Sequence, residues 1–125
     1  MDHDSHSARC QDILGRPWPE VHKFMDQYFE VAPGEAHRIV LHHALGVNLC
    51  SQALGEASRP AAEPHVMDDM GSIPVGPQEA RDMLGTIHPN ELNRANVVLK
   101  SLGLHQVDGG VADHVWWALR ILVER

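Results

Sequence analysis

Between Glu35 and Leu54 the chain runs without a proline and then meets Gly55. Ile39, Val40, Leu41, Ala44, Leu45, Val47, Leu49, Cys50 and Leu54 fall on almost every side of a helix drawn there. A helix that is apolar all round is one buried at the centre of a bundle. The spacing therefore predicts one continuous central helix over 35–54, with glycine at its C-terminal cap. Into that helix the chain sets His37, Arg38, His42 and His43, and also Gly46. A mid-helix glycine costs about 1 kcal/mol relative to alanine, so Gly46 implies close approach of a backbone or of a side chain needing room.

The remaining segments are shorter and also helical. Pro17 and Pro19 break the chain, and Val21, Phe24, Met25 and Tyr28 then follow at helical spacing within 20–30. Residues 61–70 read as a short helix stopped by Gly71, residues 78–84 as another closed by Gly85, and 89–102 as a third, with Pro89 in its first turn. A last helix is expected over 111–123 after Asp108-Gly109-Gly110. Residues 1–16 are polar and read as an N-terminal arm or a short helix. No repeat and no sustained strand-like alternation is visible. The expectation is a single all-α domain over 1–125, an irregular bundle of five or six helices.

Charge and cysteine content narrow the function. Seventeen acidic residues against ten basic give a net charge of −7 with histidine neutral, which argues against a binder of nucleic-acid backbones. The longest apolar run, Val115 to Leu119, falls far short of the roughly 20 residues that span a membrane, and no secretion signal is visible. Two cysteines make no disulfide framework, so a reduced cytoplasmic setting is expected.

Ten histidines in 125 residues are the compositional anomaly. His65 and Asp69 are four apart and face the same way if helical, as are His22 and Asp26. Neutral imidazoles and carboxylates from separated segments are the ligand types of borderline metals such as zinc. His37 and His42 are roughly 140° apart on a regular helix and His42 and His43 about 100°, so the three meet at one ion only if the helix is distorted. Each also has a plain reading: a core histidine satisfied by one hydrogen bond, or a surface i,i+4 pair. Together, however, such groups on core-seeking helices are expensive to bury unpaired, and a shared ion satisfies them jointly. His3 and His6 are expected to be solvated or, as flexible N-terminal histidines, to cap an open metal site, and His88, His105 and His114 to be structural. Cys50, two turns from His43, reads as a small apolar side chain rather than a nucleophile. No phosphate-binding loop or nucleophile elbow is present.

The pattern His37-Arg38-x-x-x-His42-His43-x-x-Gly46, followed by His65-Val66-x-Asp68-Asp69-x-Gly71-x-Ile73-Pro74, resembles a small family of bacteria and their phages catalogued only as a domain of unknown function. The resemblance covers roughly residues 3–84 and includes Pro19-x-x-His22 with Asp26. It leaves residues 85–125, a C-terminal helical pair, outside. The spacer between the central helix and His65 is shorter here than is usual in that family. The resemblance implies shared histidine architecture and no activity.

The sequence thus predicts a helical metal-binding protein, with zinc or another divalent transition metal held by His22, His37, His42, His43, His65 and Asp69. If a coordination position stays open, metal-dependent hydrolysis follows, with Asp68 or Asp26 as general base. The competing expectation is a non-enzymatic interaction protein of phage or mobile-element origin whose histidines are structural. Trp116, Ile121 and Val123 lie beyond the inward stripe of the last helix and predict a homodimer through it.

Overall fold

The computed structural model describes residues 1–108; the expected helix over 111–123, and the dimer expected through it, lie outside the described residues. Among the described residues there are seven α-helices and no strand: α1 (His3–Leu14), α2 (Pro19–Met25), α3 (Ala36–Leu41), α4 (Ala44–Leu54), α5 (Arg59–Met70), α6 (Pro77–Met83) and α7 (Pro89–Ser101). No described helix is long and apolar enough to cross a membrane. The all-α expectation is met, with more and shorter helices than periodicity implied.

The polar residues 1–16 are not a loose arm. The Asp2 carboxylate accepts from the Ser5 amide and starts α1, and Gly15, at φ 73°, ends it by donating to the Gln11 carbonyl. The helix packs on α2 and α5, and its buried residues are His6 and Cys10. These two are four apart and so share a face.

The largest departure is in the central helix. It is two helices, not one over 35–54. At His42 (φ −82°, ψ 60°) the His43 amide donates to the Leu41 carbonyl at 2.8 Å, a three-residue inverse γ-turn. His43 is then extended and becomes the N-cap of α4, its ring Nδ1 accepting from the Gly46 amide at 3.1 Å. The Ala44 amide leaves the helix pattern and donates to the Pro74 carbonyl at 2.8 Å. Gly46 shows why periodicity failed here. A Cβ on it would stand 1.7 Å from the Leu41 carbonyl oxygen. The close approach that the glycine implied is that of its own chain folding back through the turn.

α4 packs on α2 and α5, and α3 on α6 and α7. The core between them holds Val21, Met25, Ile39, Leu41, Val66, Leu92 and Leu99, each at most 1% exposed. Five histidines are as deeply buried: His6, His22, His42, His43 and His65. The polar cluster is therefore set into the core where α1, α2, the α3–α4 turn and α5 meet.

Candidate metal centre

Asp26 caps the C-terminus of α2, His42 occupies the turn after α3, and His65 and Asp69 lie one turn apart on α5. Their donor atoms converge. His42 Nε2 is 3.3 Å from Asp26 Oδ1 and 3.1 Å from Asp69 Oδ2. His65 Nε2 is 3.4 Å from Asp26 Oδ1 and 3.3 Å from Asp69 Oδ2. Two nitrogens and two carboxylate oxygens thus form a buried group that could hold a metal ion.

Hydrogen bonds assign the ring tautomers. The Pro17 carbonyl can only accept, so His22 Nε2, 3.0 Å away, carries the proton and donates to it. Neutral His22 then has its lone pair on Nδ1, which accepts from His65 Nδ1 at 2.9 Å. His65 in turn is left with its lone pair on Nε2, facing both carboxylates. The Gly34 carbonyl acts likewise on His37: it accepts from Nδ1 at 2.6 Å, so in the neutral ring the lone pair is on Nε2, 3.3 Å from Asp26 Oδ1. A metal-binding histidine commonly fixes its tautomer in this way, with one nitrogen donating to an acceptor and the other free to ligate.

The charges sharpen the point. Burial alone would raise Asp26 and Asp69. Where the facing ring nitrogens carry protons, those of His37, His42 and His65 at Asp26, and those of His42 and His6 together with the Met1 α-ammonium at Asp69, outweigh it and hold both carboxyls well below the usual carboxylate range. Burial pushes His65 down to about 4 despite Asp26 beside it, so its ring is neutral at pH 7. Burial also opposes charge on His42, but Asp26 and Asp69 together raise it. A proton on His42 would therefore reconcile that ring with the carboxylates. It would leave the His65 lone pair still opposed to two anions, and an ion at the centre reconciles both.

A second trio of ring nitrogens, from His6, His22 and His65, is also close together. Its rings are nearly parallel, with interplanar angles of 18–20° and His6 stacked 3.8 Å from His65 between centroids. Lone pairs lie in the ring plane, so those of stacked rings run alongside one another and do not meet at a point. The His22–His65 contact is a hydrogen bond, and the trio is the support of the first group.

The residues singled out by sequence sort as follows. Asp26, His42, His65 and Asp69 are brought together, with His37 at their edge. His22 lies behind His65 and meets no carboxylate. His43 points elsewhere: Nε2 donates to the Val40 carbonyl at 2.8 Å while Nδ1 caps α4, so both nitrogens are spent on backbone. Asp68 pairs with Arg9 at 3.0 Å and is 4.0 Å from His6 Nδ1, away from the convergent donors. Asp26 sits inside the donor group and is not a free base beside it. His6, expected in solvent, is 1% exposed, with Nε2 3.3 Å from Asp69 Oδ1. His3 Nε2 lies 2.8 Å from Asp26 Oδ2. The signal for His6 was there in Asp2-x-x-Ser5, a helix start that puts His6 and Cys10 on one face. The buried polar atoms without a hydrogen-bond partner include His6 Nε2, Arg38 Nε and His42 Nδ1, all around this cluster. Such orphans are uncommon and concentrate where a ligand or catalytic role accounts for them.

No family model matches the chain, and no curated protein or solved structure matches it. Fold and site define an all-α protein with a buried His/Asp cluster of metal-ligating composition.

Proposed function

We propose that the protein binds one divalent transition-metal ion, zinc fitting best, through Asp26, His42, His65 and Asp69. The observation that carries this reading is the relay from the Pro17 carbonyl through His22 to His65, which turns a neutral imidazole's lone pair onto two partly buried carboxylates. The distances support it. A tetrahedron with bonds of about 2.0–2.1 Å has edges of about 3.3–3.4 Å, and the four contacts span 3.1–3.4 Å. Two imidazoles and two carboxylates neutralise a divalent ion and suit a borderline metal better than calcium or magnesium, which prefer all-oxygen sites.

Asp26 and Asp69 also line a cavity of about 430 Å³, so the ion would be reached from one side. Zinc can expand to a fifth ligand, and water bound there has a pKa near 7, which makes hydrolysis the reaction such a centre would support. His37 lines the same cavity and keeps its Nε2 lone pair, so it displaces Asp68 as the candidate base.

The test is metal content by mass spectrometry on untagged protein, with zinc affinity from competition against a chromophoric chelator. About one equivalent is expected in the wild type and in His105→Ala, an exposed position. His65→Ala and Asp69→Asn should lose it while keeping their helical circular dichroism. Equal metal content in wild type and His65→Ala would overturn the site.

A further inference from the structure

The cavity beside the cluster has a chemistry of its own. We propose that it binds a small phosphate monoester, with the phosphoryl group held between Arg38 and the ion and the organic group against Phe29. The proposal rests on the metal reading above and names the ligand class of that site.

Charge selects an anion. The carboxylates of Asp26 and Asp69 offset a divalent ion, and neutral imidazoles add nothing. The cavity wall further carries Arg38, the Met1 α-ammonium, which pairs with Asp69 Oδ1 at 2.9 Å, and the Asp2 carboxylate, which caps α1 at the Ser5 amide, so a positive charge remains. Arg38 has no tight acidic partner. Its Nη1 reaches the Asp69 main-chain carbonyl at 3.3 Å and a Glu35 oxygen at 3.9 Å, and the Glu35 side chain is 55% exposed. Its Nε has no acceptor at all. A guanidinium fork whose one carboxylate neighbour is a half-exposed Glu35 oxygen 3.9 Å away, close to the backbone of a ligand-bearing residue, has room for a bidentate oxyanion.

Shape selects phosphate over carboxylate. A carboxylate that fills the fork with both of its oxygens has no third oxygen left for the ion. A phosphoryl group has three terminal oxygens in a tetrahedral arrangement and can meet both. Phe29 then selects an ester over inorganic phosphate. Its ring is half exposed, lines the cavity, and stands edge-on to His37 with centroids 5.2 Å apart. An exposed aromatic ring at a polar cavity offers an apolar group a surface to lie on.

Zinc uptake by the full chain is measured first, so a failure there removes the metal reading, and this proposal with it, before any anion is added. The stoichiometrically loaded protein is then titrated by calorimetry with phenyl phosphate, inorganic phosphate and benzoate. Phenyl phosphate should bind, and benzoate should bind at least ten-fold more weakly. Arg38→Gln should weaken both phosphates ten-fold or more at unchanged zinc content, and Arg38→Lys should fall between. Phe29→Ala should weaken phenyl phosphate and leave inorganic phosphate unchanged. A zinc-loaded wild type that ignores phenyl phosphate, equal affinity for benzoate, or an Arg38→Gln protein that binds like wild type would each overturn the proposal.

Discussion

Gly46→Ala is the substitution on which helix propensity and the observed fold disagree in sign. Gly46 lies in the first turn of α4. Propensity alone gives alanine an advantage of about 1 kcal/mol inside a helix. In this fold the added methyl would stand 1.7 Å from the Leu41 carbonyl oxygen, 2.4 Å from its carbon and 2.6 Å from Leu41 Cα. All three are backbone atoms, so no side chain can swing away. Restoring an ordinary carbon–oxygen contact of roughly 3.3 Å requires the turn to open by about 1.5 Å. That opening breaks the 2.8 Å bond from the His43 amide to Leu41 and carries His42 away from Asp26 and Asp69. Overpacking typically costs 1–3 kcal/mol, more where backbone must move, so after the propensity gain a net loss of about 2 kcal/mol is expected. For a chain of this size that is a fall of roughly 8 °C in Tm. Thermal and urea unfolding followed by circular dichroism measure it, with zinc affinity measured alongside and expected to drop. A Gly46→Ala protein as stable as wild type, or more so, would refute the reasoning. It would mean that residues 35–54 form the continuous helix that hydrophobic spacing predicted.

Three further outcomes are expected. His22→Phe, which leaves His65 Nδ1 without its acceptor, should cost 10–100-fold in zinc affinity, less than His65→Ala; no change contradicts the relay, and a loss equal to that of His65→Ala makes His22 a direct ligand. Asp68→Asn removes the pair with half-exposed Arg9 and the 4.0 Å contact to His6, neither of which touches the convergent donors, so zinc content should be unchanged and stability within about 1 kcal/mol of wild type. In chelator-treated protein, burial holds His43 and His65 down to about 4, against about 6.5 when unfolded. The unfolded chain therefore binds more protons between those values, and stability should fall as pH drops from 6.5 toward 4, by up to about 3 kcal/mol for each such group; the raised His42 acts above that window, where its contribution is lost as pH rises. A urea midpoint flat from pH 7 to pH 4.5 would contradict this.

The sequence made the helical class legible because apolar residues recur at helical spacing and glycine or proline marks most ends. His65 and Asp69 were legible as a pair because four residues within one helix fix their common face. The same rule placed His22 with Asp26, yet Asp26 falls at the C-cap of α2, where helical spacing no longer governs direction; it faces the donors while His22 lies behind them. His42 and His43 were not separable by pattern. Their fates are set by one turn whose energy lies in a backbone bond and an N-cap, neither of which changes residue hydrophobicity. His6 was hidden by composition, since a polar segment reads as solvated until its cap shows that it is a helix with a buried face.

Backbone carbonyls outside the helices decide which histidines stay available. Pro17 precedes α2, Gly34 precedes α3, and both carbonyls accept from ring nitrogens. Carbonyls outside regular structure need partners, and a neighbouring imidazole is one. Each such bond commits one ring nitrogen and so determines what the other can do. His37 and His65, the latter through His22, keep a lone pair for the interior. His43 bonds backbone through both nitrogens and keeps none. In an unbroken helix His42 would differ from His43 by about 100° and from His37 by about 140°, so no single point would serve His37 and His42 together. The turn at His42 removes that constraint, and Gly46 is the residue that lets the turn close. The donor cluster and the broken helix are thus one feature, so a change that straightens α3 into α4 should remove metal binding without touching a ligand.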